Sequence, residues 1–105
     1  MRHRVRFTKL ATDGIKKIKK SGNQGKIRQL DKALTLLKSD PRHTSLQSHR
    51  ARKAPPIVAR FGNRDDLWIS YVRTGSGGER IVWTIRDAAD GGQVLNVEYV
   101  GPHID

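Results

Sequence analysis

Apolar residues change their spacing partway along this chain, and that change limits the fold more than any other feature. Phe7, Leu10, Ala11, Gly14, Ile15 and Ile18 recur at i, i+3, i+4, i+7, i+8 and i+11, the stripe of one helix face. Lys16, Lys17, Lys19 and Lys20 avoid that stripe, and the last two suit a helix C-terminus through its dipole. Ser21-Gly22-Asn23 interrupts the pattern. A second helix is expected over about 24–38, with Ile27, Leu30, Leu34 and Leu37 on one side and Ala33 beside them. Asp40-Pro41 ends it, because a residue before proline is steered from helical angles.

Beyond residue 66 the period becomes two. Leu67-Trp68-Ile69-Ser70-Tyr71-Val72 is rich in aromatic and β-branched residues. Ile81, Trp83 and Ile85 alternate onto one face of a second strand, and Leu95, Val97 and Tyr99 onto one face of a third. Thr74-Gly75-Ser76-Gly77-Gly78 and Asp90-Gly91-Gly92 are short turns, so an antiparallel meander is expected. Residues 51–64, with Pro55-Pro56 and Gly62, read as a loop in which Ile57 to Phe61 could form a short edge strand. The expected architecture is α+β: a single domain over 1–105 in which a helical hairpin (about 7–38) and a basic loop (about 40–64) precede a β-meander (about 66–103). The hairpin covers one face of a small antiparallel sheet.

Composition narrows the function. At 105 residues and 35% hydrophobic content there is room for one thin core, which excludes large cofactor folds. The absence of cysteine removes disulfides, thiol catalysis and cysteine zinc sites. No apolar run reaches the roughly 18–20 residues of a membrane span. Met1-Arg2-His3-Arg4-Val5-Arg6 leads into no apolar signal core, so a cytoplasmic protein with no membrane partner is expected. The net charge of +11 is unevenly placed: residues 1–53 hold 16 Lys/Arg against 3 Asp/Glu, whereas 54–105 hold 5 against 7. Such a basic half suits a polyanion, either RNA or DNA, although a solvated basic face would look the same.

The meander makes a geometric statement about chemistry. With its strands running up, down and up, Arg73, Arg80 and His103 come to one end of the sheet. Two guanidiniums suit phosphate oxygens, and an imidazole titrates near neutrality and can carry a proton to or from a sugar oxygen. The same residues could equally be solvated strand ends. Asp40 to Lys53 forms a second cluster in which Arg42, Arg50, Arg52 and Lys53 would track a phosphate backbone, with His49 as a possible proton-transfer group. His43 and His49 are too isolated to suggest a metal site, and no cofactor motif is present. Trp83 reads as core; Trp68 could be core or a base-stacking surface.

The order of parts resembles the RelE/ParE superfamily of bacterial toxins. The residues that carry the resemblance are Leu37-Lys38-Ser39-Asp40-Pro41-Arg42, Leu46-Gln47-Ser48-His49-Arg50, Arg80-Ile81-Val82-Trp83 and the terminal Gly101-Pro102-His103. The closing Gly-Pro-His is most similar to the YafQ-like branch of ribosome-dependent mRNA interferases. The resemblance implies a RelE-like fold and a toxin of a toxin–antitoxin pair, with a cognate antitoxin, the ribosome and mRNA as partners. It implies His103 as general acid, Arg80 at the scissile phosphate, and His49 as the catalytic-site histidine that follows the second helix, with Arg50, Arg52 and Lys53 beside it. Arg42, Arg50, Arg52, Lys53, Arg73, Lys16, Lys17, Lys19 and Lys20 would form the RNA- and ribosome-facing surface. Two other readings stay open: a ParE-like poison of DNA gyrase without nuclease chemistry, and a non-catalytic nucleic-acid-binding protein.

Overall fold

The computed structural model describes residues 4–52, 55–72 and 78–102. These form a five-stranded sheet in the order β1-β5-β4-β3-β2, with helices against both faces. In chain order the elements are β1 (Arg4–Phe7), α1 (Lys9–Lys20), α2 (Gln24–Ser39), a 3-10 turn (Thr44–Leu46), β2 (His49–Arg50), α3 (Pro55–Phe61), β3 (Trp68–Tyr71), β4 (Glu79–Asp87) and β5 (Gln93–Pro102). The meander β3-β4-β5 is antiparallel, as expected; Thr74 to Gly77 of its first expected turn lie outside the described residues. Among the described residues no helix is long and apolar enough to cross a membrane.

Phe7 is not helical, contrary to the stripe drawn from it. Thr8 is the N-cap: its Oγ1 accepts from the Ala11 amide at 3.1 Å, so α1 starts at Lys9. Arg4–Phe7 instead pairs in parallel with Val94–Val97, making the sheet mixed. Thr8 secures this junction as well, donating from its hydroxyl to the Glu98 carbonyl at 2.9 Å and from its amide to the Val97 carbonyl at 3.0 Å. From there α1 crosses β5 at close range. A methyl group at Gly14 would be driven into the Val100 carbonyl, so only glycine allows this approach.

Two helices and one sheet face enclose the larger core. Ala11 and Ile18 of α1, Leu30, Ala33 and Leu37 of α2, and Leu46 pack on Ile81, Trp83, Leu95, Val97 and Val100. Asp40 leaves helical angles at φ −152°, ending α2 where Pro41 demands it.

The opposite face carries a second core that the sequence reading missed. Residues 55–61 form α3, a helix where a loop or edge strand was expected. Two prolines fit a first helical turn, where the missing N–H groups have no intrahelical partner in any case. Gly62, at φ +79°, stops the helix and donates to the Val58 carbonyl at 2.8 Å. α3 presses Ile57 against Leu67, Ile69, Val82 and Tyr99.

Tyr99 reaches this face only because β5 is bulged. Val82 pairs with Tyr99 and Trp83 with Val97, leaving Glu98 as the extra residue. One inserted residue reverses the alternation. Leu95 and Val97 thus face α1 and α2, while Tyr99 turns to α3 rather than sharing their face as expected.

Candidate active site

Register builds the site. β2 places His49 opposite Ile69, β3 places Tyr71 opposite Arg80, and β4 places Arg80 opposite Gly101. Side chains two apart on one strand, and directly opposite on the next, share a face. His49, Tyr71 and Arg80 therefore gather on the α3 side of the sheet.

Arg80 is only 7% exposed. Its Nη1 donates to the Gly78 carbonyl at 2.9 Å and to the Glu79 carbonyl at 3.3 Å. Its Cζ sits 3.9 Å from the centroid of the Tyr71 ring, a cation–π contact strengthened by removal from water. The His49 ring meets Tyr71 edge-on with centroids 5.6 Å apart. Tyr71 thus holds the guanidinium and the imidazole in fixed relation to each other.

The tautomer of His49 follows from its neighbour. Nδ1 lies 3.0 Å from the Gln47 carbonyl, which can only accept, so Nδ1 carries the proton and Nε2 is the basic atom of the neutral ring. Gln47 adopts φ +47°, an uncommon left-handed conformation for a residue other than glycine, two residues before the histidine.

The end of β5 is held in place beside Arg80. The Tyr99 hydroxyl donates to the Pro102 carbonyl at 2.7 Å, and burial pushes its pKa up while the nearby Arg60 pulls it down. A Cβ on Gly101 would lie 2.7 Å from that hydroxyl. Glu79 is paired with Lys26 of α2 at 2.8 Å, which neutralises a carboxylate 8% exposed next to Arg80.

Of the residues expected at the site, His49 and Arg80 are brought together, and Tyr71 joins them. Nothing but its place at the end of a strand pointed to Tyr71. His103, Arg73 and Lys53 lie outside the described residues. Arg42, Arg50 and Arg52 are exposed near the β2 edge, and the guanidiniums of Arg42 and Arg50 lie over the Trp68 ring. Lys16, Lys17, Lys19 and Lys20 are exposed on α1, which packs against β5, so they do not share the β2 edge with His49. Among the described residues no three His, Asp or Glu side chains gather as a metal site would require.

No family model and no curated protein matches the sequence. Solved structures do match. YafQ from E. coli strain BL21(DE3) superposes with a TM-score of 0.66 at 13% identity, covering 96% of this chain and 93% of that one. YafQ in the E. coli DinJ-YafQ toxin-antitoxin complex also gives 0.66 at 13% identity, over 98% and 94%. The YoeB dimer from Staphylococcus aureus gives 0.60 at 15% identity, over 98% and 99%. At such identities the likeness is one of fold, and this chain has the α+β, RelE-like fold seen in YafQ and YoeB.

Proposed function

We propose that this chain is the toxin of a toxin–antitoxin pair, a ribosome-dependent endoribonuclease that cleaves mRNA in the cytoplasm by acid–base chemistry without a metal. The observation that carries the reading is the buried Arg80 guanidinium fixed on Tyr71, with His49 on the same ring and β5 alongside. The YafQ-like fold, found in a toxin–antitoxin complex, supports both the toxin role and a cognate antitoxin.

In this mechanism Nε2 of His49 takes the proton of a ribose 2′-hydroxyl. The 2′-oxygen then attacks the adjacent phosphorus. Arg80 carries the negative charge that develops on the phosphorane oxygens, a role suited to its forked donors and its low-dielectric seat. The P–O5′ bond breaks, and His103, two residues beyond Gly101, gives its proton to the departing 5′-oxygen. The products are a 2′,3′-cyclic phosphate and a 5′-hydroxyl end. The basic N-terminal half provides attraction to rRNA.

The test is primer extension on an mRNA paused on purified ribosomes, with the free mRNA as control. Wild-type protein is expected to cut only in the presence of ribosomes. Arg80→Ala and His103→Ala, each checked for folding by circular dichroism, are expected to lose about 100-fold or more in rate, the usual scale of acid–base and charge-stabilising groups. No cut by the wild type defeats the reading and directs the search to gyrase supercoiling.

A further inference from the structure

The two residues of β2 face opposite ways, and the side away from His49 carries a second constellation. Arg50 pairs with Trp68 across the β2–β3 ladder. The Cζ atoms of Arg50 and Arg42 each lie 4.8 Å from the centroid of the Trp68 ring. Trp68 in turn stacks on the buried Trp83, with centroids 5.4 Å apart and planes 16° from parallel. Two like charges therefore share one indole. Among the described residues neither guanidinium has a carboxylate partner; Arg50 donates one Nη1 bond to the Asp65 backbone carbonyl.

The arrangement is rigid from beneath. Trp83 Nε1 donates to Ser70 Oγ at 2.7 Å, Ser70 and Ser48 share a 2.6 Å bond, and Ser48 Oγ reaches the Pro41 carbonyl at 2.6 Å. That carbonyl can only accept, so Ser48 donates to it and Ser70 donates to Ser48. The chain of donors fixes the residue before Arg42 to the strand that bears Trp68. Preorganised guanidiniums with no carboxylate partner among the described residues, held on an aromatic platform, are suited to phosphate, with little ordering cost on binding.

We infer that Arg42, Trp68 and Arg50 form a site for successive phosphates of single-stranded RNA, reached over the β2 edge from the His49–Tyr71–Arg80 cluster. The inference takes its substrate class from the nuclease reading. The guanidinium carbons can be no farther apart than twice their distance to the shared ring, a span that neighbouring phosphates of one strand cover. A strand crossing the two-residue β2 would meet this site on one face and the cleavage cluster on the other. Forked donors would also suit an acidic peptide; continuity with the cleavage cluster across the two-residue β2 favours RNA.

The experiment measures fluorescence anisotropy of a short labelled 2′-O-methyl RNA, which cannot be cleaved, across a salt titration and without ribosomes. Arg42→Gln/Arg50→Gln is expected to weaken binding about tenfold at low salt and to reduce the salt slope by about 1.4, or 0.7 per phosphate contact on a single strand. Lys32→Gln, an exposed charge on α2, is expected to change affinity less than about twofold. A double variant with wild-type affinity and slope overturns the inference, as does an equal loss in Lys32→Gln. Loss of binding to a poly-glutamate peptide, with RNA binding intact, also overturns it and assigns the site to protein. If the double variant melts early, Arg42→Gln alone is measured against a slope change of about 0.7, since its guanidinium makes no hydrogen bond or ion pair among the described residues. Because cleavage is not the readout, loss of RNA binding in the double variant supports the site even where ribosomes yield no cut. Conversely, a wild-type cut with unchanged RNA binding defeats this site alone.

Discussion

Single side chains here act through the groups that orient them. Ser70 is fully buried and takes the only polar hydrogen of Trp83. Ser70→Ala leaves that indole N–H unpaired in the core, which costs about 1–3 kcal/mol. In a domain of this size each kcal/mol lowers Tm by about 4–8 °C. A urea or thermal melt of the variant is expected to show that loss, and an unchanged midpoint would mean that another acceptor takes over. His49 is similar in kind: its imidazole was legible as a candidate, but the atom able to take a proton was not. That depends on the Gln47 carbonyl and a left-handed backbone angle, neither of which residue type announces.

At the scale of elements, the bulge in β5 is the decisive irregularity. Glu98, its extra residue, accepts from Arg64 Nη1 at 3.2 Å. Arg64 also makes two 3.0 Å bonds to the Asp66 carboxylate, and Arg86 approaches the same carboxylate at 3.4 Å. The cluster ties the segment after α3 to the bulge. The hydrogen bond from Arg64 holds the Asp66 pKa below its ordinary 3.8, and Asp66 in turn raises that of Arg64. A carboxylate with a lowered folded pKa contributes stability above its ordinary pKa and loses it as pH falls through the folded value. Asp66 is 44% exposed, so this contribution is less than about 1 kcal/mol. Asp66→Asn is expected to melt up to about 5 °C below wild type at neutral pH, with the gap closing below the ordinary carboxylate range. A gap independent of pH would assign the loss to packing instead.

For the whole molecule, charge and topology divide the labour. α1 carries its lysines over β5, whereas Arg42 and Arg50 sit at the far edge of the sheet by β2. A polyanion as large as a ribosome can engage both. Neutralising Lys16 with Lys17, or Lys19 with Lys20, is expected to weaken ribosome co-sedimentation and reduce its salt slope by about 1–2. Binding and slope equal to wild type would remove α1 from the ribosome-facing surface.

Helices α1 and α2, strands β3 to β5 and the turn at Asp90-Gly91-Gly92 were legible because periodicity, capping and glycine are local properties that a short window contains. The charge division was legible for the same reason, whereas Arg80 became a candidate through the expected meander and His49 through its basic surroundings. The tertiary structure alone decided the rest. β1 became a strand because Val94–Val97 offered an edge, and Thr8 ended it by binding Glu98, 90 residues away. α3 formed over a sheet face made apolar partly by Tyr99, which the bulge had turned there. Tyr71 met a guanidinium through the cross-strand Arg80, and Trp68 through Arg42 and Arg50. Period reports which way a side chain points along its own element; what it meets depends on which edges pair, and pairing is settled only when the whole sheet has closed.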